Sequence, residues 1–559
     1  MIIKMKNNRF YIALLAATVS LTSCSNDYLD VNENPNQIQA ENITPELMFP
    51  GAVSTAYRIQ GGTMMQFGNL MMNSWTGNAY TNSSPFQREF NLASVDNTFY
   101  QGIWNGLYPR IANFAQIERY PNADHKQDYY VAMAKIMKAY YMQYIVDLYG
   151  DAPYSEAFLG QANMKPKYDD DAAIYRTLIT SLNDAEALIT SAQATNASNI
   201  SQGIPVVALV PNASDIIFNV TSDSEMNSWK VFARTLKLRM LIRMSKVTGD
   251  MAGFRDAQLQ TLAGSTSASF VSANVLENPG YNGSTDDQMN PFLLSFRLNS
   301  TGAAVSNFPF ITVSEHMAIV LNGNAIEGST ETYHQKYTGI PDPRRTGLFT
   351  AVVAPSYLKG IRQGAVPGQP GAPTGNTTVS RLGNGTFTGS TAAVNVNNGN
   401  RGGVIMSLAE SKFLQAEAAL RYPAIFGGIS AQNSFNQGIT ASATWLGVNT
   451  ASVAWTNYTT AISTRAGLGW VGTDTQKIES IMTQKWIALT NVSPTEMFIE
   501  YNRTGYPFTP MASTAGQPNK PYRLIYPVSE YATNGANVPN ISSAQVFVKN
   551  QYTPFWNQN

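Results

Sequence analysis

A long helix with a continuous apolar face is the feature that most constrains how this chain can fold. Within residues 129–149, large apolar side chains recur at steps of three and four, which places them on one helix face. They are Tyr130, Met133, Met137, Tyr141, Tyr144 and Leu148. Gly150 and Pro153 then predict where the helix ends. Because such a helix cannot stand alone, we interpret it as the centre of a helical scaffold.

Other segments with helical periodicity can pack against this central helix. The long ones cover about 98–120, 126–149, 171–192 and 225–247, and shorter ones lie near 406–422, 431–445 and 475–490. Thr44, Pro45 and Glu46 match an N-cap, a first helical position and an acidic first turn, which predicts a further helix start. The fold class predicted by these patterns is mostly α-helical, although no strict repeat of 34 residues is visible.

The stretches between the helices are long and polar. Residues 195–222 mix short apolar runs with Asn and Ser, which predicts loops or short strands. Residues 264–330 and 350–403 are rich in Gly, Asn, Ser and Thr, and 360–403 has too few large apolar residues to build a core. We therefore predict a few short strands and long irregular loops, in which binding specificity usually lies.

The N-terminus has the parts of a bacterial lipoprotein signal. Basic residues precede an apolar run over 10–21, which is too short to span a bilayer. A Leu-Thr-Ser-Cys sequence follows and looks like a lipobox; it ends at Cys24, the single cysteine of the chain. We predict that Cys24 is lipidated. The alternative is an ordinary secretory signal with an incidental cysteine.

These features predict a division of the chain into a signal peptide at 1–23, a lipidated tether at 24–43, and one helical body at 44–559. We expect a loop-rich insertion around 264–403 within that body. No later stretch has 18 consecutive apolar residues, so the body should be soluble and tethered. With one cysteine, no intramolecular disulfide can form.

The charge content disfavours nucleic-acid binding. The chain has 37 basic and 37 acidic residues, so there is no basic excess to attract phosphates. Charged residues are only 13% of the chain, which means that Asn, Gln, Ser, Thr and Tyr must provide the polar surface. Such a surface suits neutral hydroxylated ligands, although many secreted proteins with a similar composition bind no sugar.

Patterns for catalysis or for a bound metal are weak. The three histidines His125, His316 and His334 lack metal-ligand spacing, and the chain has neither a P-loop nor a G-x-S-x-G elbow. Glu410 and Glu417 could serve glycoside hydrolysis, but a buried carboxylate paired with arginine is the favoured interpretation. We expect a protein that is not an enzyme and uses no metal and no cofactor.

Two groups of charged residues have a structural and a functional interpretation. The acidic residues at 169–171 could bind a metal, but acidic residues also stabilise a helix N-terminus, and we prefer that interpretation. Basic residues in 225–247 lie largely off the apolar stripe of that helix. A solvated or salt-bridged face is favoured over an anion site there.

Several short motifs, in order, resemble those of the SusD/RagB family of outer-membrane nutrient-binding lipoproteins. The motifs are LDVNENPN and TPELMFPGA near the N-terminus, DLYGDAPYSEA at 147–157, WKVFARTLKLRMLIRMS at 229–245, DPR at 342–344, LAESKFLQAEAA at 408–419, IMTQKW at 481–486, NRTGYP at 502–507 and YRLIYP at 522–527. Together they cover nearly the whole mature chain. The chain is most similar to the SusD-like branch.

This resemblance implies a fold and a function. It implies tetratricopeptide-like helix pairs and a lipid-anchored protein at the outer membrane, facing the cell exterior. It also implies a nutrient-binding protein that takes an oligosaccharide and acts as the lid of a TonB-dependent transporter of the SusC type. The alternatives are oligopeptide capture, as in the RagB type, a surface glycoside hydrolase, and a purely structural helical-repeat adaptor.

Two stretches combine aromatic residues with small polar ones, as sugar binding requires. Sugar rings stack on aromatic faces, and Asn and Asp side chains bond the hydroxyl groups. The candidate ligand-binding residues are Trp75, Asn78, Tyr80 and Phe86 in the first stretch, and Tyr281, Asn282 and Asp287 in the second. Packing in the core is the alternative for each aromatic residue, and no ligand residue can be transferred from the family by motif.

Overall fold

The computed structural model describes residues 43–77, 86–93, 95–324, 332–352, 357–366, 368 and 379–558. Pro45–Asn559 forms one compact unit. The predicted signal peptide and most of the tether, including Cys24, lie outside the described residues.

Helices dominate the described residues. In chain order they are α1 (Pro45–Ile59), α2 (Met65–Met71), α3 (Gln87–Asn91), α4 (Gln101–Glu118), α5 (Asp128–Tyr149), α6 (Asp171–Ser201), α7 (Asn227–Arg243), α8 (Gly249–Gln260), α9 (Pro291–Phe296), α10 (Glu315–Asn322), α11 (Arg345–Leu348), α12 (Asn384–Thr388), α13 (Leu408–Arg421), α14 (Ala431–Trp445), α15 (Val453–Ile462), α16 (Asp474–Leu489), α17 (Pro494–Thr504) and α18 (Val528–Asn534). A π-helical turn at Gln60–Met64 joins α1 to α2.

Four short strands form two small antiparallel ribbons. The strands are β1 (Trp75–Gly77), β2 (Val275–Glu277), β3 (Ile311–Val313) and β4 (Gly403–Met406). β1 pairs with β3, and β2 pairs with β4 through an irregularity after Val275. The ribbons thus join segments that are far apart in the chain, and they bring the polar stretches around 275–290 and 395–403 onto the helical scaffold.

The predicted helices are confirmed, with one difference in extent and with additional helices that were not predicted, among them α8, α15 and α17. The third predicted helix runs to Ser201 rather than 192, so the irregular segment begins later than expected. The region 360–403 contains the short helix α12, which Gly389 ends in the left-handed conformation at φ 66°. Both differences arise where short apolar or polar runs pack on the scaffold, which local sequence patterns do not show.

The central helix α5 is buried almost all round. Of its residues, only Val131, Lys135 and Lys138 are partly exposed. The sequence predicts one apolar face, but α1, α4, α6 and α7 all pack against this helix. Its tyrosines therefore need partners inside the protein, and the hydroxyl of Tyr140 donates to the carbonyl of Ile405 at 2.6 Å.

A set of charged side chains, here called the buried ion network, lies between five helices. Each member is at most 2% exposed. The members are Asp147 of α5, Arg239 and Arg243 of α7, Glu410 and Glu417 of α13, Lys485 of α16, and Glu496, Glu500 and Arg503 of α17. Arg234, Arg239 and Arg243 of α7 are therefore salt-bridged, as the favoured interpretation predicted, but the last two are wholly buried rather than solvated. Lys237 of the same helix instead donates to Asn183 and Thr261.

Arg243 lies at the centre of this network. Its two terminal nitrogens donate to Glu496 and Glu500, each at 2.6 Å, and its Nε lies 3.4 Å from Asp147. Burial alone would raise the pKa of Glu500, but the charges of Arg503, Lys485 and Arg243 hold it well below its ordinary value. Glu500 of α17 is thus ionised against Arg243 of α7.

The second branch of the network confirms the arginine pairing predicted for Glu417. Both oxygens of Glu417 accept hydrogen bonds from Arg503, at 2.7 and 2.8 Å. Glu410 accepts from Arg239 at 3.2 Å, and Gln143 of α5 accepts from the same guanidinium at 2.9 Å. The two carboxylates considered for glycoside hydrolysis are therefore held by arginines inside the scaffold.

We predict that Arg243→Met destabilises the protein by at least about 3 kcal/mol, because it leaves buried carboxylates without their counter-charge. The free energy of unfolding in urea is the measurement. Arg362→Gln is the control, since Arg362 pairs with Glu315 at 2.8 Å but is 65% exposed, and it should cost less than about 1 kcal/mol. Equal losses in the two variants would contradict a structural role for the network.

Candidate functional site

The first predicted ligand stretch contributes to the core where it is described. Trp75 is fully buried; its indole N–H donates to Asn491 Oδ1 at 2.7 Å, and its ring packs edge-on against Phe296. Phe86 is 5% exposed and packs against Phe90. Asn78 and Tyr80 lie outside the described residues. In this conformation neither described ring offers a face to a ligand, and ligand contact by this stretch stays a prediction.

The second predicted stretch forms a surface loop. Tyr281 is half-buried, and Asn282 and Asp287 are exposed. The backbone N–H of Asn282 donates to the carbonyl of Gln288 at 2.9 Å, which closes the loop, and Arg58 of α1 donates to the carbonyl of Asp287 at 3.0 Å. The structure thus brings these three candidates together on one loop, whereas Trp75 and Phe86 lie in the core.

A buried carboxyl group holds this loop. Tyr281 donates its hydroxyl to Glu277 Oε1 at 2.6 Å, and Glu277, at the end of β2, is fully buried. Burial raises the pKa of Glu277 to about 8, although the hydrogen bond from Tyr281 and the charge of Arg58 oppose the shift. Gly403 of β4 makes room here, because a Cβ at that position would lie 2.4 Å from Glu277 Oε1. Glu277 is therefore protonated at neutral pH.

A groove of about 610 Å³ lies along the outer face of α14. It is bounded by the residue before β2, by the chain leading into β4, and by the first turns of α13. Its lining residues are Asn274, Arg401, Leu408, Lys412, Asn433, Asn436, Gln437, Thr440, Ala441, Thr444 and Trp445. This volume is in the range of small-ligand sites, and most of the lining side chains can donate or accept hydrogen bonds.

Trp445 and Arg401 form the aromatic end of the groove. The guanidinium carbon of Arg401 lies 3.4 Å from the centroid of the Trp445 ring, and the side chain donates to the Trp445 carbonyl at 3.2 Å. Burial lowers the pKa of Arg401 to about 10, so it is charged at neutral pH. The arginine covers one face of the indole and fixes the orientation of the ring.

The remaining wall of the groove carries free amide groups. Asn433, Asn436 and Gln437 are exposed, and within the described part of the chain their side-chain amides make no hydrogen bond. A second cavity, of about 240 Å³, shares Asn436 and Thr440 with the groove and is lined by Trp470. The face of α14 thus carries amides between two tryptophans, which is the chemistry that neutral sugars require.

Sequence reasoning missed Trp445, Arg401 and Trp470. The polar residues of α14 recur at Asn433, Asn436, Thr440 and Thr444, at steps of three and four. That spacing predicts a solvated face on any surface helix, so it did not distinguish a binding face. Arg401 reaches Trp445 from 44 positions away, a contact that only the fold reveals.

Comparison with protein families gives one match over most of the chain. The SusD-like family, described as "Starch-binding associating with outer membrane", matches residues 35–282 and 308–527. A search of the curated proteins finds no match. Among the described residues, no helix has the length and apolar character needed to cross a bilayer.

Solved structures share the fold at low sequence identity. A SusD homolog from Bacteroides uniformis is 20% identical with a TM-score of 0.64, covering 92% of this chain and 99% of its own. A chitin-binding SusD homolog from Flavobacterium johnsoniae is 21% identical with a TM-score of 0.62, covering 91% and 98%. A SusD homolog from Bacteroides thetaiotaomicron is 20% identical with a TM-score of 0.64, covering 93% and 100%. The predicted SusD-like, tetratricopeptide-like helical fold is confirmed.

The protonation of Glu277 predicts a pH dependence. Its pKa is raised in the folded protein, so its contribution to stability is complete below the unfolded pKa of about 4.3 and is lost as pH rises through about 8. As pH rises over that window, wild type should lose stability relative to Glu277→Gln, by at most about 1.4 kcal/mol per pH unit. Urea unfolding of both proteins from pH 5 to 9 measures it. A difference independent of pH would contradict the neutral carboxyl.

Proposed function

The chain belongs to the SusD-like family of glycan-binding proteins associated with the outer membrane, and from this premise we propose that it captures oligosaccharides at the cell surface. The family match over residues 35–282 and 308–527 is the observation that carries the proposal. Members of this family are binding proteins rather than enzymes. In this proposal the protein binds its ligand without cleaving a bond and releases it chemically unchanged.

The groove along α14 is the site that we propose for the sugar. Its tryptophan can stack on a sugar ring, its exposed amides can bond hydroxyl groups, and Lys412 and Arg401 add further donors. The chitin-binding homolog from Flavobacterium johnsoniae supports a polymeric sugar as the ligand class. The Tyr281 loop packs beside this surface: Gly283 approaches Val396, and Asn290 donates to the carbonyl of Arg401 at 2.7 Å.

The anchoring and the partner follow from the sequence and the family. We propose that Cys24 is the lipidated first residue of the mature protein, held in the outer membrane and facing the exterior. We further propose that the body acts as a lid on a TonB-dependent transporter of the SusC type. In this scheme the bound oligosaccharide passes into the barrel when the lid closes.

Titration calorimetry of the body with chito-, malto- and xylo-oligosaccharides and with peptides tests the function. We expect saturable binding to one glycan class. Trp445→Ala should weaken it at least tenfold, which is about 1.4 kcal/mol, because the stacking face is lost. Trp445→Phe is the matched control and should retain most of the affinity.

The other outcomes of this titration are equally informative. Binding that survives Trp445→Ala but is lost in Tyr281→Ala would move the site to the predicted loop. Binding to peptides alone would replace the sugar with an oligopeptide as the ligand. Glycan cleavage during the titration would contradict the assignment as a binding protein.

Lipidation has its own test. We expect the full-length chain to sediment with outer membranes and to incorporate labelled palmitate when expressed in its natural host background. Cys24→Ala should abolish the label and release the protein, because no acyl chain remains to anchor it. Cys24 is the single cysteine, so a label that persists in the variant would rule out the lipobox assignment.

A further inference from the structure

Another cavity, of about 630 Å³, lies between the turn after α7 and the helices α13, α16 and α17. It shares no lining residue with the groove on α14. Three basic side chains line it, whereas its one acidic residue is Asp474. The lining residues are Ser245, Lys246, Arg255, Leu420, Arg421, Tyr422, Asp474, Thr475, Ile478, Thr504 and Tyr506. A cavity of this size holds a monosaccharide-sized group, and its wall is cationic.

Lys246 has no counter-charge in the described part of the chain. It follows α7 in the turn Met244–Lys246, and no carboxylate there lies within ion-pair distance of its ammonium group. Lys246 is exposed at the rim of the cavity. Partial desolvation, and then the charges of Arg503, Lys549 and Arg421, lower its pKa, and the opposing attraction of Glu417 is the weakest of these influences. The lysine is therefore held close to other cations, which an anion in the cavity would offset.

Glu417, the carboxylate that attracts Lys246, is already bound by two arginines. Glu417 accepts from both terminal nitrogens of Arg503, and its Oε1 also accepts from Arg421 at 2.6 Å. Arg255 donates to the carbonyl of Met244 at 3.0 Å, and its ion pair is with Asp256, which is 60% exposed and screened by solvent. The positive charge on this wall thus exceeds the negative charge available to it.

A helix N-terminus and several hydroxyl groups in the wall also favour an anion. Asp474 and Thr475 are the first residues of α16, a helix of 16 residues, so the positive end of its dipole lies at the cavity. Asp474 itself pairs with Lys477 at 3.1 Å. Hydroxyl groups of Ser245, Thr475 and Tyr506 add possible donors. The chain as a whole has no basic excess, so this concentration of cations is local.

We propose that this cavity is an oxyanion-binding site that takes the carboxylate of an acidic sugar, with Lys246 and Arg421 as its charged ligands. The site is separate from the groove at Trp445, so it extends the range of ligands beyond the function proposed above. Lys246 is the residue to change, because its head group makes no contact on which the fold depends.

Protection of lysines from acetylation, read by peptide mass spectrometry, locates the anion directly. The full mature protein is labelled with and without sodium glucuronate, trigalacturonate or sodium sulfate, at constant ionic strength. We expect trigalacturonate and glucuronate to slow labelling of Lys246 at least fivefold. Lys230 is the internal control: it lies at the other end of α7, roughly 24 Å away at 1.5 Å per residue, and its labelling should not change.

Calorimetry with variants completes the test. Lys246→Gln should weaken trigalacturonate binding at least tenfold, and the matched variant Lys230→Gln should leave it unchanged. Neither variant should alter binding of a neutral oligosaccharide at Trp445, which separates this proposal from the proposed function. Equal protection of Lys230 and Lys246, or full affinity in Lys246→Gln, would overturn the site. Protection by sulfate alone would overturn the acidic sugar as its ligand.

Discussion

The helical scaffold depends on charged groups that cannot be left unpaired in its interior. Arg243 is fully buried with Glu496, Glu500 and Asp147 around it, so removing any partner would leave a charge without solvent or counter-ion. Because the partners come from α5, α7 and α17, the ion pairs tie these three helices together. Apolar packing buries α5 on nearly every side, and the paired charges lie within that packing.

The same constraint explains how much of the fold the sequence could predict. The motifs that resemble the SusD/RagB family contain seven of the nine members of the buried ion network, and Glu496 and Glu500 lie between two of the motifs. The seven are Asp147, Arg239, Arg243, Glu410, Glu417, Lys485 and Arg503. Matching those motifs therefore identifies the scaffold, and the helix bounds followed closely from apolar periodicity. What periodicity could not show is that α5 is buried on nearly every side, because that depends on neighbours distant in the chain.

The candidate site was less predictable, for a physical reason that Trp75 illustrates. Small polar neighbours made it look like a surface residue, but Asn491, 416 positions away, satisfies its indole N–H and allows complete burial. Trp445 is the opposite case: it is the last residue of an ordinary surface helix, and Arg401, 44 positions away, stacks on one face of its ring. Both outcomes depend on long-range contacts, so a polar or aromatic stretch alone cannot assign a ligand residue.

The two proposed surfaces lie at opposite ends of α13. Leu408, its first residue, lines the groove on α14, and Leu420 and Arg421, its last two, line the cavity that contains Lys246. A helix of 14 residues spans about 21 Å, so a monosaccharide can occupy one surface but cannot reach both. Residues 413–419 of the helix are buried, so an oligosaccharide with neutral and acidic units can engage both only by a path over the neighbouring surface. The second contact would then be intramolecular, and the affinity would exceed that of either surface alone. The helix that carries Glu410 and Glu417 in the core therefore also sets the spacing between the surfaces.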